Sequence, residues 1–401
     1  MGVSVILYSM NPPFPVSDTT AEQLIARLAQ ARTQLRALRD CLPADGWLGP
    51  RAEHLNPPLW EAGHIVWFQE RLCLRAQPDS EWPDGSFAAS LLPGADALYD
   101  SSAVPHDSRW TLPLLTPAEV DDYAAQVTAA VTARLRADCH NTLAYFAELS
   151  LLHELMHIEA WRMAFQALGY TPPSRPTLAA DLPAQPERLA FAEGEMALGS
   201  GADAGFIFDN EKWQHTVTVA AFDIDTSPVS EAAFAAFVDA GGYLRRELWS
   251  AAGWEWRTGS GATHPLYWRR QGDNWQVRRF AEWAPLVAGA AMLHVNRFEA
   301  EACAAWHCRR LPSAAEWQRA AALPEFRWGE GWEWTRDAFA PYPGFAPDPY
   351  RDYSQPWFHT HGELRGGAGV TDAQLKRPGF RNFYLPHRRD PFAGFRTASA
   401  G

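Results

Sequence analysis

Two histidines four residues apart are the strongest chemical signal in the chain. His153 and His157 stand in the sequence His-Glu-Leu-Met-His, inside a mostly apolar stretch whose spacing predicts a long helix. This spacing places both imidazoles on one helical face, and Glu154 completes the HExxH pattern of zinc proteases. Because carboxylates flank the pair in an otherwise apolar window, a metal site is favoured over two ordinary core histidines.

A zinc protease also needs a third ligand, and the residues after this helix do not supply it. The extended protease motif requires a glycine and a third histidine where this chain has Ala160 and Met163. The other protease class takes a glutamate from a following helix, but the segment 171–186 is too rich in proline to continue as a helix. A protease is therefore the weaker interpretation.

Apolar periodicity predicts that the first 170 residues form a helical bundle. The predicted helices cover residues 18–42, 57–76, 116–138 and 141–168. Metal sites in bundles are built from facing helices, and His64 in the second helix is the best candidate for a third ligand. His54 and His140 lie near helix starts, where capping or solvent contact is the simpler role. Three imidazoles suit octahedral Fe(II) or tetrahedral Zn²⁺, so the spacing does not choose the metal.

The character of the sequence changes after the proline-rich linker 171–186. In residues 187–401 short β-like runs alternate with Gly, Trp and Pro, and only 230–242 and 296–308 have helical patterns. An irregular α+β domain is predicted, which makes the chain a two-domain protein. The five cysteines are predicted to be free thiols, buried in the case of Cys303 and Cys308.

Composition excludes several classes of function. The net charge of −12 argues against a nucleic-acid surface, which needs concentrated Lys and Arg. No apolar run reaches the length of a membrane span, and residues 1–18 lack the basic start and cleavage site of a signal peptide. With unpaired cysteines, these features predict a cytoplasmic protein without membrane or nucleic-acid partners.

The order of motifs along the chain resembles the ergothioneine-type sulfoxide synthases. The motifs WEAGHIVWFQE and HELMHIE precede GWEWT, LRGGAGV and FRNFYLPHRRDPFAGFRTA, and the resemblance covers nearly the whole chain. It implies a DinB-like bundle, residues 1–170, joined to a domain similar to the formylglycine-generating enzyme, whose fold also resembles C-type lectins. It further implies Fe(II) held by His64, His153 and His157. The implied reaction uses O₂ to join a chalcogen to the imidazole C2 of hercynine, the trimethylated betaine of histidine.

The resemblance also implies roles for residues around the iron. Glu154 becomes an orienting or structural carboxylate. Candidates for a proton or electron donor are Tyr350, Tyr353 and Tyr384. Candidate substrate contacts are Asn382, Phe383, Met156, Arg109 and Trp334, the last through cation–π attraction to the trimethylammonium group.

One departure from the family pattern concerns the chalcogen donor. Enzymes that use γ-glutamylcysteine carry an arginine cluster after the second helix, where this chain has LYDSSAVPHDSRWTLPLLTP with Arg109 alone. A donor with two carboxylates is poorly matched, and the resemblance therefore favours the selenoneine synthases, which take selenium from a selenosugar. Cysteine remains an alternative donor, and Arg365, Arg377 or Arg388 could replace the missing arginines in space.

Two other classes stay open at this point. DinB-like bundles with three histidines also occur in metal-dependent thiol transferases, but those enzymes lack the second domain. A lectin-like second domain could instead make the chain a binding module without enzymatic activity. Metal analysis and O₂ uptake with hercynine distinguish these classes.

Overall fold

The computed structural model describes residues 19–76 and 87–399, and its N-terminal part is helical. The helices are α1 (Ala21–Arg39), α2 (Pro58–Glu70), α3 (Ala95–Tyr99), α4 (Pro117–Ala137) and α5 (Asn141–Leu168). A π-helical turn, Arg71–Arg75, continues α2. The four predicted helices are present within a few residues of their predicted ends, whereas the chain start used in the signal-peptide argument lies outside the described residues. Within those residues, no helix is both long and apolar enough to cross a membrane.

Local capping explains where the long helices begin. Thr20 and Gln23 form a capping box at the start of α1, and Thr116 forms the same arrangement with Glu119 at the start of α4. The His140 side chain accepts a hydrogen bond from the Leu143 amide and caps α5, which confirms the capping role considered for this histidine. Each cap satisfies amide groups that a helix start leaves without partners.

Helices α2 and α5 lie at the centre of the bundle. Nearly every residue of α2 is buried, including the polar side chains Glu61 and His64. Burying a polar side chain costs folding free energy unless it has a partner, so polar side chains in a central, buried helix indicate a functional site. Gly63 permits close packing here, because a Cβ at this position would lie 2.3 Å from the Tyr99 ring.

The second domain is α+β, as predicted. Its strands are β1 (Arg188–Phe191), β2 (Gly194–Leu198), β3 (His215–Val219), β4 (Phe222–Asp225), β5 (Trp268–Gln271), β6 (Asn274–Arg279), β7 (Glu282–Pro285), β8 (Arg309–Arg310), β9 (Trp332–Ala338), β10 (Gly362–Gly366), β11 (Asn382–Tyr384), β12 (Ala393–Gly394) and β13 (Ala398–Ser399). They form sheets ordered β1-β4-β13-β8, β11-β10-β9-β12, β2-β3 and β5-β6-β7. The long loop between β9 and β10 and the loop after β11 face the bundle and carry most of the site residues that this domain provides.

The helices of this domain correct part of the prediction. Helices α6 (Glu231–Asp239) and α8 (Arg297–Trp306) fall on the two predicted patterns, but α7 (Ala251–Ser260) and α9 (Ala314–Ala320) were not predicted. Helix α7 contains two glycines, which lower its intrinsic helix propensity. Helix α9 is short, yet Ser313 and Glu316 form a capping box that marks its start in the sequence.

The cysteines are free, as predicted. Cys303 is buried in α8, but Cys308 is exposed, which corrects the expectation that both thiols are buried. Cys308 lies between the end of α8 and β8, with a positive φ of 55°.

A buried carboxylate on α5 joins the two domains. The indole Nε1 of Trp332 donates to Glu159 Oε1 at 2.6 Å, and the Thr371 hydroxyl donates to Oε2 at 2.7 Å. Burial raises the pKa of Glu159, and these two hydrogen bonds oppose that effect. Glu159 lies two residues after His157, so the contact that docks the second domain also fixes the helix that carries the histidine pair.

The docking contact makes a prediction about stability. We expect Trp332→Phe and Thr371→Val each to lower the free energy of unfolding by about 1–3 kcal/mol, because each leaves a buried carboxylate oxygen without its donor. Chemical denaturation followed by tryptophan and far-ultraviolet signals measures the change. Glu195→Gln, a substitution in an exposed side chain of β2, is the control and should leave the midpoint unchanged. Unaltered midpoints for both interface variants would show that the carboxylate does not hold the domains together.

Candidate metal centre and substrate cavity

Three imidazoles from two helices meet at one point inside the protein. His64 Nε2 lies 3.3 Å from His153 Nε2, and His157 Nε2 lies 3.2 Å from the same atom. His64 and His153 are almost fully buried, and His157 is partly buried. The structure therefore brings together the i, i+4 pair on α5 and the histidine on α2 that the sequence selected.

The hydrogen bonds at Nδ1 of His64 and His157 determine whether Nε2 of each ring carries a lone pair. His64 Nδ1 lies 2.8 Å from the Tyr99 carbonyl oxygen, which only accepts, so the proton of a neutral His64 is on Nδ1. His157 Nδ1 likewise donates to Glu61 Oε1. In both rings Nε2 then carries a lone pair that points to the common centre. Lone pairs at this separation repel each other unless a cation lies between them, which is the arrangement of a metal site with oriented ligands.

Burial keeps the inner rings neutral. Desolvation lowers the pKa of His64 and of His153 well below the usual value, and protonation of the neighbouring His157 would lower it further. His153 also stacks on Phe68 with ring centroids 3.7 Å apart, which fixes the plane of its ring. Neutral imidazole is the form that binds metal ions, so this environment favours coordination over protonation.

Glu154 has a structural role here. Both of its carboxylate oxygens accept hydrogen bonds from Arg32, at 2.8 and 3.1 Å, and both side chains are buried. A carboxylate held in this way is not available as a base next to a metal-bound water. The structure supports the reading of Glu154 as a structural carboxylate and opposes the protease reading of the HExxH pattern.

A cavity of about 740 Å³ opens from the three histidines and is lined by both domains. The bundle provides the three imidazoles, Trp60, Met156 and the loops around His54 and Arg109. The second domain provides the tyrosines and much of the outer wall: Tyr350, Asp352, Tyr353, Pro356, Trp357, His361, Phe383, Tyr384, Leu385 and Arg388. Such a volume accommodates two small polar molecules at once.

The three predicted tyrosines all line this cavity. The Tyr350 ring contacts His153 edge-on at a centroid distance of 5.9 Å, while Tyr353 stacks on Phe208 at 4.3 Å. The Tyr384 hydroxyl lies 3.7 Å from Met163 Sδ. Burial raises the pKa of each phenol, so all three remain protonated at neutral pH.

The predicted substrate contacts divide into two groups. Met156, Phe383 and Arg109 line the cavity. Asn382 is not among the lining residues: its Oδ1 accepts from the Phe383 amide at 2.8 Å, and its side chain also hydrogen-bonds with Tyr384, which does line the cavity. Trp334 is fully buried with its indole donating to the Val295 carbonyl, so the prediction that it faces a substrate is not supported.

Arg109 occupies an unusual position for a cation. Its guanidinium lies 3.8 Å from the centre of the Trp60 ring, and Trp60 in turn stacks on His64 at 4.8 Å. Its hydrogen-bond acceptors are neutral: Asn56 Oδ1 at 2.7 Å and the carbonyls of Ser101 and Val104. Desolvation lowers the pKa of Arg109 to about 10. The charge of Glu61 opposes this effect, and a desolvated guanidinium whose hydrogen-bond acceptors are neutral can bind an anion.

Sequence reasoning missed several functional candidates. Glu61 had a signal, since it is an acidic residue one helical turn before His64 in an apolar helix, and acidic partners of metal-binding imidazoles are common. Asp352, Trp357 and His361 had none, because the cavity forms only when distant loops meet. His54 was considered in the sequence but was given only a capping or solvent role.

Glu61 provides a test of the metal centre. We expect Glu61→Gln to weaken metal binding by roughly 10–100-fold, because the amide orients His157 less firmly and does not increase its basicity. Competition with a chromophoric chelator measures the affinity. His140→Asn, which keeps a good helix cap far from the triad, is the matched control and should bind metal like the parent chain. Equal affinity in both variants would contradict the proposed orientation of His157 by Glu61.

Comparison with known proteins agrees with this architecture. Residues 27–160 match the DinB superfamily, and residues 176–331 match the sulfatase-modifying factor enzyme 1-like domain. A hercynine oxygenase from Mycolicibacterium thermoresistibile is 33% identical over 404 residues, which cover 86% of this chain and 87% of that protein. The hercynine oxygenase of Mycobacterium tuberculosis is 34% identical over 433 residues, with 95% and 99% coverage.

The second domain has a relative of its own. The formylglycine-generating enzyme of Streptomyces coelicolor is 33% identical over 154 residues, which cover 34% of this chain and 48% of that enzyme. The two hercynine oxygenases match this chain over most of its length and therefore across both domains. On this evidence the chain belongs to the hercynine oxygenases, the family of the ergothioneine-type sulfoxide synthases.

Proposed function

We propose that this chain is a nonheme Fe(II), O₂-dependent enzyme that joins selenium from a selenosugar to the imidazole C2 of hercynine. The C2–H and Se–H bonds break and a C2–Se bond forms. If the product leaves as the selenoxide, one molecule of O₂ supplies its oxygen atom and the other oxygen atom leaves as water. Family membership supports hercynine as one substrate, and the contents of the cavity support the choice of donor.

The three histidine ligands fit ferrous iron. His64, His153 and His157 present three neutral nitrogens from rigid helices and leave the cavity side open. Three imidazoles with open positions suit Fe(II), which supplies the one-electron chemistry with O₂ that side chains cannot provide. The protein's own contribution is to hold the two substrates beside each other and to exclude water.

Phe383 and Arg109 are proposed to position hercynine. The aromatic wall at Phe383 offers a face to the imidazole or the trimethylammonium group. Arg109 then takes the single carboxylate of hercynine, which replaces the anion that this guanidinium lacks. Tyr350 is the proposed proton donor, because it is protonated and, of the three tyrosines, is the one whose ring contacts a triad imidazole.

The number of unpaired positive charges in the cavity lining is the observation that favours a selenosugar as the chalcogen donor. Among the described residues that line it, Arg109 is the one guanidinium without a carboxylate partner, since Arg388 pairs with Asp390. Arg365 and Arg377, the other possible replacements, pair with Glu363 and Glu211. Hercynine and γ-glutamylcysteine together bring three carboxylates, whereas hercynine and a selenosugar bring one.

The outer wall has the chemistry that a sugar requires. Trp357 is 40% exposed, and its indole donates to the Asp352 carbonyl, which holds the ring in place at the cavity wall. Asp352 and Ser102 bond to each other there, and burial lowers the pKa of His361 to about 4, so this imidazole is neutral. Exposed aromatic faces beside neutral and acidic acceptors bind hydroxyl-rich ligands.

Cysteine is the second candidate donor. Cysteine brings one carboxylate, and Arg109 could bind it if the carboxylate of hercynine bound elsewhere in the cavity. The reaction would then form a carbon–sulfur bond in the same cavity. The thiol transferase alternative has less support, because both domains of this chain match the hercynine oxygenases along most of their length.

The choice of donor is tested by direct competition. We expect kcat/KM to be highest for a selenosugar, lower for its sulfur analogue and for cysteine, and lowest for γ-glutamylcysteine, because the peptide brings two carboxylates without partners. Each missing charge-assisted contact is worth about 1.5–3 kcal/mol. Anaerobically iron-loaded enzyme is mixed with hercynine, O₂ and each donor, and mass spectrometry measures the product. If the peptide is the best substrate, the enzyme is an ordinary hercynine sulfoxide synthase.

The carboxylate subsite is tested separately. We expect Arg109→Gln to weaken hercynine binding by roughly 10–150-fold, the equivalent of one charge-assisted hydrogen bond. The matched control is the analogue of hercynine that lacks the carboxylate, whose affinity should be nearly equal in the parent and the variant. Calorimetry on the iron-loaded, anaerobic protein gives both affinities. Equal losses for the two ligands would mean that Arg109 acts through Trp60 and His64 and not through the carboxylate.

A further inference from the structure

A second group of potential metal ligands lies beside the same cavity. One ligand atom from each of Glu53, His54 and His387 lies within 4.8 Å of the other two. His54 Nε2 is 4.0 Å from Glu53 Oε2, and the rings of His54 and His387 are 6.0 Å apart. Glu53 and His54 line the cavity, and the Glu53 side chain is 80% exposed, which places the group at the cavity entrance.

The surroundings leave these ligands able to bind a cation. Arg388 follows His387 directly, but Asp390 binds its guanidinium through both oxygens and compensates its charge. Burial, with a further contribution from Arg388, lowers the pKa of His54, so its ring is neutral at pH 7 and keeps a lone pair. The exposed Glu53 carboxylate can turn towards the two imidazoles with little cost.

We propose that Glu53, His54 and His387 form a second divalent-metal site, which takes Zn²⁺ and narrows the cavity entrance when it is occupied. Two imidazoles and one carboxylate, with water in the fourth position, are a common ligand set for this ion. His54 belongs to the bundle and His387 to the second domain, so the bound ion also links the two domains. The inference does not depend on which chalcogen donor the enzyme uses.

Zinc uptake by the iron-loaded, full-length protein tests the site. Equilibrium dialysis with Zn²⁺, followed by elemental analysis of zinc and iron, should give one zinc beside a full complement of iron in the parent protein. His387→Ala should take up no zinc at the same concentration, and Glu53→Gln should bind it at least tenfold more weakly. His307→Ala removes an exposed histidine elsewhere in the second domain and should behave like the parent. Iron content and thermal midpoint without zinc verify that each variant is folded.

Two further readouts separate the entrance site from displacement of iron. Zinc should raise the thermal midpoint of the parent but not of His387→Ala, because the ion joins the domains. The zinc concentration that halves turnover should rise at least tenfold in His387→Ala, with iron retained throughout. The proposal is overturned if the variant binds zinc like the parent. It is also overturned if inhibition always accompanies the release of iron.

Discussion

The convergence of three imidazole lone pairs is the constraint on which the structure depends. His64 and His157 have their outer nitrogens bound by an acceptor, the Tyr99 carbonyl and the Glu61 carboxylate, so in the neutral rings the proton lies on Nδ1 and the inner nitrogen keeps its lone pair. Such an arrangement is unfavourable without a cation and favourable with one. Helix α2 supplies both one imidazole of the cluster and the carboxylate that binds a second imidazole, which explains why polar side chains lie within an otherwise apolar, buried helix.

The second domain encloses the space beside the three histidines and makes it a cavity lined by both domains. Glu159 fixes that domain to α5 within one helical turn of His157, and the loops that follow β9 and β11 then close the cavity. Its cations are largely neutralised by carboxylates of the same domain, as in the pair of Arg388 with Asp390. Arg109 is the guanidinium in the cavity lining that has no carboxylate partner, and it stacks on Trp60, which stacks on His64. A single aromatic ring therefore separates this cation from the three histidines.

The sequence predicts those features that local rules control. Helical periodicity and caps located the bundle helices, and the i, i+4 spacing with an isolated histidine on α2 identified the triad. Features that depend on distant segments were less accessible. Trp334 had the right chemistry for a substrate contact, but it lies in a stretch of β9 in which four consecutive residues are buried. The Asn382 side chain instead accepts from the Phe383 amide within β11. His361 and Trp357 could be recognised only after folding brought their loop to the bundle.

The most direct test of the account is the iron coordination shell of the anaerobically loaded protein. Iron K-edge absorption spectroscopy counts the imidazole ligands, and the comparison of the parent chain with His64→Asn asks whether the histidine on α2 is one of them. The account predicts three imidazoles in the parent and two, or loss of iron, in the variant. A shell with fewer than three imidazoles, or one that is unchanged when His64 is replaced, would contradict it.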